Sequence, residues 1–150
     1  MGTLILRFAN LILSGILAGA LFAIMMAFNS KSISFPSYLV QQQNVIKAFN
    51  ELMPLIGFAA IILTLVTAFK ERGNKTIVVS LIAAAVLLIL SGLITKFGNQ
   101  PINTIVMTWN DSVVPKDWTA LRDKWLTLHT VRTILSFLAF CIIGWSNIRR

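Results

Sequence analysis

A single cysteine, a single histidine and five carboxylates are all that this 150-residue chain brings to metal, redox or acid–base chemistry. One cysteine, Cys141, excludes an intrachain disulfide, a paired-cysteine redox motif and a cysteine-rich metal site. One histidine and so few acids leave too small a ligand set for zinc or a two-metal centre, so no metal site is expected. The scarcity of charge is the larger absence. Asp, Glu, Lys and Arg make up 12% of the chain, against roughly 25% in soluble domains.

Apolar residues fill the gap, at 57% of the sequence, and the mean hydropathy is +0.81. Such a composition belongs to an integral membrane protein. The length allows one domain with about four spans of roughly 20 residues each. Basic residues exceed acidic ones, for a net charge of +8. They stand in short loops, where they act as topology signals and lipid headgroup contacts. No soluble module interleaves them with aromatics, so nucleic acid is not an expected partner; membrane lipid is.

Runs of apolar residues predict spans over about 4–28, 52–69, 77–94 and 125–146. The expected fold is all-α, an integral membrane four-helix bundle in one domain over 1–150. The run from Phe8 to Phe28 is longer than the core of a signal peptide and reads as an uncleaved first span. Gly15 and Gly19 make a G-x-x-x-G pair that suits close helix packing and offers one route to a homo-oligomer. Asn29–Ser37 reads as a polar loop and Tyr38–Asn50 as a helix leading into span two, which has Pro54 near its start, where proline costs least. Lys96 to Pro115 reads as irregular, with a short interfacial helix over Ile102–Trp109, and the last helix starts at Lys116 or Asp117.

Lys70, Arg72 and Lys75 crowd the turn between spans two and three, and Arg149 and Arg150 close the chain. With four spans, these residues share one side with Arg7. By the positive-inside rule that side is cytoplasmic, with both termini, and a bacterial inner membrane is the expected location. The longer loops then face outward. Lys96, Lys116, Arg122 and Lys124 in the loop before the last span argue against this assignment.

The polar chemistry concentrates on one helix. Trp118, Arg122, Trp125, His129, Arg132 and Ser136 recur at steps of four and three, which places them on one face. Trp118, Trp125 and Arg122 suit the headgroup layer. Arg132 lies about two turns further in, roughly 10 Å at 1.5 Å per residue. An ionisable group at that depth marks a functional site or pairs inside the bundle. His129, one turn away, is a candidate general base; its blander role is a hydrogen bond to a backbone carbonyl. Asn99 and Asn103 flank Pro101 just before this helix, and Asn50 and Glu51 stand at the mouth of span two. All could reach the same layer, and Glu51 is a candidate partner for Arg132.

The segments G-I-L-A-G-A-L-F at Gly15–Phe22, Asn50, N-Q-P-I-N at Asn99–Asn103 and W-L-T-L-H-T-V-R-T at Trp125–Thr133 resemble the anthrone oxygenase-like family. Its members are small four-helix integral membrane proteins, and most bacterial ones are known only as a domain of unknown function. The likeness runs through nearly the whole chain. Gln100 and Ile102 stand where the family's usual N-V-P-L-N has other residues. The resemblance implies oxidation of an anthrone to an anthraquinone by molecular oxygen, with no cofactor. It implies His129, Arg132, Asn99, Asn103 and Trp125 as the functional set. The expected site takes His129 and Arg132 as catalytic residues, and Asn99, Asn103, Trp125, Asn50 and Trp109 as substrate contacts.

One expected function is therefore a membrane oxygenase or oxidase for a hydrophobic phenolic, anthrone-like or quinone-like molecule. His129 would take the phenolic proton, and Arg132 with the asparagine amides would hold the oxyanion. Trp125 would stack on the ring. The alternative is a non-catalytic protein that binds a lipid headgroup or quinone, or a structural protein pinned by its polar layer. A transporter is the weaker third, since no broken helix or inverted repeat is apparent. A ring-sized cavity beside His129 separates enzyme or quinone binder from structural network.

Overall fold

The computed structural model describes residues 2–28 and 33–148 and is all-helical over them. Asn29, where the polar loop was expected to begin, and Arg149 and Arg150, used for orientation, lie outside the described residues. The helices are α1 (Gly2–Ala27), α2 (Phe35–Phe49), α3 (Leu52–Lys70), α4 (Lys75–Ile94), α5 (Gln100–Met107) and α6 (Trp118–Ile148). Four helical stretches, Gly2–Ala27, Leu52–Lys70, Lys75–Met107 and Trp118–Ile148, are long and apolar enough to cross a membrane. α4 packs on α6 and α3, and α1 packs on α6 and α3, so the four close into a ring.

The packing is inverted relative to a water-soluble bundle. Small residues line the centre, with Ala18, Ala60, Ala84 and Ala139 all buried, while Phe8, Phe58, Phe69 and Val79 point outward. Small side chains let helices approach closely where lipid provides no hydrophobic drive between them. Gly15 serves this packing within the chain: a Cβ there would lie 3.1 Å from the Phe140 ring on α6. Gly19, by contrast, is open on its outer side.

The stretch after the third span departs from the sequence reading. Lys96 onward is helical as far as Met107, and the irregular segment is confined to 108–117. Thr95–Asn99 forms a π-helical turn in which the Gln100 N–H bonds back five residues to the Thr95 carbonyl. The expected interfacial helix therefore exists as α5, but it runs on from α4. Pro101 falls in the first turn of α5, where its missing N–H costs little. The widened turn before it lets the helix pass a proline that would otherwise press on the preceding turn.

Each end of the bundle carries a polar cluster. At one end Arg7 donates to Asn147 Oδ1 (2.9 Å), to Glu71 Oε1 (3.3 Å) and to the Ser146 carbonyl. The start of α1, the α3–α4 turn and the end of α6 therefore meet at one end, as four spans require. At the other end α2 lies over α5, and Ile24, Phe28, Phe35, Tyr38, Ile102, Val106 and Trp125 form an aromatic-rich core. The site lies between this cap and the alanine-lined shaft.

Candidate functional site

The centre of the site is a pair on consecutive turns of α6. Residues 118–148 form one helix with neither proline nor an internal break around the pair, so the three-residue spacing points His129 and Arg132 to the same side. His129 is fully buried and Arg132 is 8% exposed. Arg132 Nε and Nη2 reach His129 Nδ1 at 3.1 and 2.8 Å, and Nη1 donates to Thr95 Oγ1 at 2.9 Å. Arginine donates only, so Nδ1 accepts. The ring proton then sits on Nε2, which donates to the Leu21 carbonyl at 2.9 Å. The imidazole is thus the neutral Nε2–H form with both nitrogens engaged.

Behind the histidine stands a chain of amides. Trp125 stacks on His129 with centroids 4.8 Å apart and planes 6° from parallel. Its indole N–H donates to Asn103 Oδ1 at 2.7 Å, and Asn103 Nδ2 donates to Asn50 Oδ1 at 2.9 Å. Asn99 Nδ2 donates to the Trp125 carbonyl at 3.0 Å. The Asn99 Oδ1 is buried with no hydrogen-bond partner among the described residues. The π-helical turn makes this arrangement possible. It aims Asn99 from the end of the turn, and Asn103 one helical turn later, at the same tryptophan.

Six of the seven expected site residues therefore join one network: His129, Arg132, Trp125, Asn99, Asn103 and Asn50. Trp109 does not. Its ring packs on Phe35 at 6.1 Å and its carbonyl accepts from Gln43 at 3.0 Å, so it ties α2 to α5. Glu51 is exposed and forms no ion pair with Arg132, and no carboxylate pairs with Arg132 among the described residues. Arg122 lies over the Trp118 ring at 5.1 Å and pairs with the exposed Asp123 at 2.9 Å, as an interfacial residue does.

Two cavities meet at Arg132. The larger, about 290 Å³, has Leu17, Leu21, Leu88 and Ser91 as its buried wall and Phe58, Gly92 and Lys96 at its exposed side. The smaller, about 30 Å³, is bounded by Asn50, Asn103, Thr95 and Arg132, and is the size of about one water molecule. Met53, Pro54, Thr95 and Arg132 line both. His129 and Trp125 line neither, being sealed behind the guanidinium and the amide chain. The larger volume stands at the lower limit of ligand pockets, about 300–1,000 Å³.

Several site residues escaped the sequence reading. Thr95 and Ser91 support Arg132: Thr95 takes its Nη1 bond, and Ser91 Oγ donates to the Arg132 carbonyl at 3.1 Å and lies 2.9 Å from Ser136 Oγ. The spacing of Ser91 and Thr95, four apart in an otherwise apolar span, was the available signal. Gly57 and Gly92, which leave the cavity its width, carried no signal without knowledge of which faces meet.

A family model described as anthrone oxygenase matches residues 43–142. The matched stretch contains the whole amide network and the His129–Arg132 pair. No curated protein and no solved structure matches the chain.

Proposed function

The chain belongs to the anthrone oxygenase family, and from that premise we propose that it is a membrane-embedded oxygenase acting on a hydrophobic phenolic, anthrone-like or quinone-like molecule. One observation carries the reading. Arg132 is buried, has no acidic partner among the described residues, and borders an apolar cavity near ring size. A buried unpaired cation is costly. A ligand oxygen that bears or develops negative charge offsets that cost.

The reaction converts a ring CH₂ to C=O and reduces molecular oxygen, with R₂CH₂ + O₂ giving R₂CO + H₂O. Arg132 is the catalytic residue that meets the substrate oxygen. Its donors turn from His129 to that oxygen and stabilise the enolate through charge-assisted hydrogen bonds. His129 Nδ1, released by that movement, takes the substrate proton. The electron-rich ring carbon passes electrons to oxygen and bonds to it, giving a hydroperoxide. Loss of water, with the proton returned from His129, leaves the carbonyl. Trp125 holds the imidazole by stacking and is itself held by Asn103, which bonds Asn50, and by Asn99 at its carbonyl; these are positioning residues in this scheme. Both termini face the cytoplasm of a bacterial inner membrane, and the site faces the opposite side.

The test is oxygen uptake by the protein in lipid nanodiscs supplied with anthrone. The expected result is one O₂ consumed per anthraquinone formed, falling to the empty-nanodisc rate in His129→Ala with its thermal transition retained. Turnover unchanged in that variant contradicts the base assignment.

A second reading, binding without chemistry, draws on the sealed position of His129. Its two nitrogens are satisfied within the protein, which suits a ligand grip as well as it suits catalysis. Saturable anthrone binding with no uptake above background would select that reading.

A further inference from the structure

The larger cavity has a direction, and the direction identifies its opening. Its inner wall is buried on α1 and α4, with Leu17 at 5% and Leu88 at 3% exposure. Its outer margin is Phe58 on α3, at 64% exposure, facing Gly92 and Lys96 on the α4–π stretch, both exposed. Phe58 and Gly92 both fall inside stretches long and apolar enough to span a membrane. The gap between them therefore opens sideways, on the outer surface of the bundle. Two glycines stand at it. A Cβ at Gly92 meets nothing within 4 Å, and one at Gly57 meets only Leu17, at 3.9 Å. The opening is wide because these positions lack side chains.

The polar groups on the lining share one sign. Arg132 lies within and Lys96 at the margin, joined by the hydroxyls of Ser91 and Thr95 and the amide of Gln100; no carboxylate lines the cavity. The walls are otherwise apolar. An apolar slot with a cation at its inner end and another at its outer end complements a flat molecule with an acidic oxygen and a second oxygen-bearing edge.

We propose that the gap between α3 and α4 at Gly57, Phe58 and Gly92 is a lateral portal from the lipid into the cavity. It admits planar aromatics that place an acidic oxygen on Arg132 and a second oxygen on Lys96. The proposal names the substrate class and route for the oxygenase reading, and rests on that reading only for the chemistry that follows binding.

The test is the association rate and equilibrium affinity of 2-hydroxyanthraquinone and of oxygen-free anthracene for the protein in nanodiscs, with empty-nanodisc partitioning subtracted. The unaltered protein is expected to bind 2-hydroxyanthraquinone saturably and at least about tenfold more tightly than anthracene. Gly92→Leu sets a side chain at the portal, where a Cβ meets nothing within 4 Å, and is expected to slow hydroxyanthraquinone association by about tenfold or more. Gly19→Leu, on the outer face of α1 away from the cavity, is expected to leave it unchanged. Lys96→Gln is expected to weaken hydroxyanthraquinone by a few-fold and anthracene not at all. An unchanged association rate in Gly92→Leu, equal slowing in Gly92→Leu and Gly19→Leu, no preference over anthracene, or no saturable binding to the unaltered protein each overturns the proposal. Anthrone turnover tracks the parent reading separately. Turnover that survives Gly92→Leu sinks the portal and leaves the oxygenase, whereas portal-dependent binding without turnover leaves the portal and sinks the oxygenase.

Discussion

At Arg132 a guanidinium is held by a neutral histidine and a threonine hydroxyl instead of a carboxylate. That choice leaves its charge uncompensated by protein while fixing its geometry. A carboxylate in the same place would neutralise the group and remove its attraction for an anion. The depth and sidedness of Arg132 were legible from the W-x₃-H-x₂-R spacing, because helical period is a property of sequence. Its partners were not. Thr95, and the Leu21 carbonyl that holds His129, come from other helices, and interhelical register is set by packing. Tyr38 poses a related question on the capping helix. Its hydroxyl is buried with no hydrogen-bond partner among the described residues, and burial pushes its pKa up to about 12. The folded value lies above the unfolded one, and the uncharged form is the protonated form. The phenol therefore costs no pH-dependent stability below about pH 10, and destabilises the fold as pH rises from there toward 12. Tyr38→Phe is expected to keep or raise the melting temperature at neutral pH and to flatten its fall above pH 10. An unchanged alkaline slope in that variant rules this out.

Among the elements, the π-helical turn at Thr95–Asn99 departs furthest from what the sequence suggests. Glycine, asparagine and proline in F-G-N-Q-P read as a loop because each disfavours a helix interior. The helix continues because the extra residue in the turn accommodates Pro101, and because α6 supports it. Gly98 shows how close that support is: a Cβ there would lie 3.0 Å from Leu128 Cδ1. Gly98→Val is expected to cost about 1–3 kcal/mol through overpacking. Leu128→Ala, which costs stability alone, is expected to recover part of that loss in the double variant. Thermal unfolding of the four proteins decides it, and strictly additive losses contradict a contact between the turn and α6. The first three spans were readable to within a few residues of α1, α3 and α4, since length and apolarity define a span. The stretch after Ile94 was misread as irregular where local propensity and tertiary support disagree.

For the whole molecule, the two polar ends divide the work. The Arg7 end ties α1, the α3–α4 turn and α6 together. Sequence reading gave Arg7 only a topology role, because nothing local indicates that it is 4% exposed. Arg7→Gln removes donors to three partners, whereas Glu71→Gln alters one, and Glu71 is the more exposed member. Arg7→Gln is therefore expected to lower the thermal midpoint more than Glu71→Gln while both retain ligand binding at the far end. Loss of binding in parallel with stability would mean that the two ends are not separate. The proposed function rests on the Arg132 end. Its most direct measurement is kcat/KM for anthrone oxidation by Arg132→Gln in nanodiscs, alongside a thermal scan showing that the variant is folded. A fall of about 10²–10³-fold is expected for loss of an oxyanion donor at a buried site. Turnover equal to that of the unaltered protein would contradict the claim that this unpaired buried charge meets the reacting oxygen.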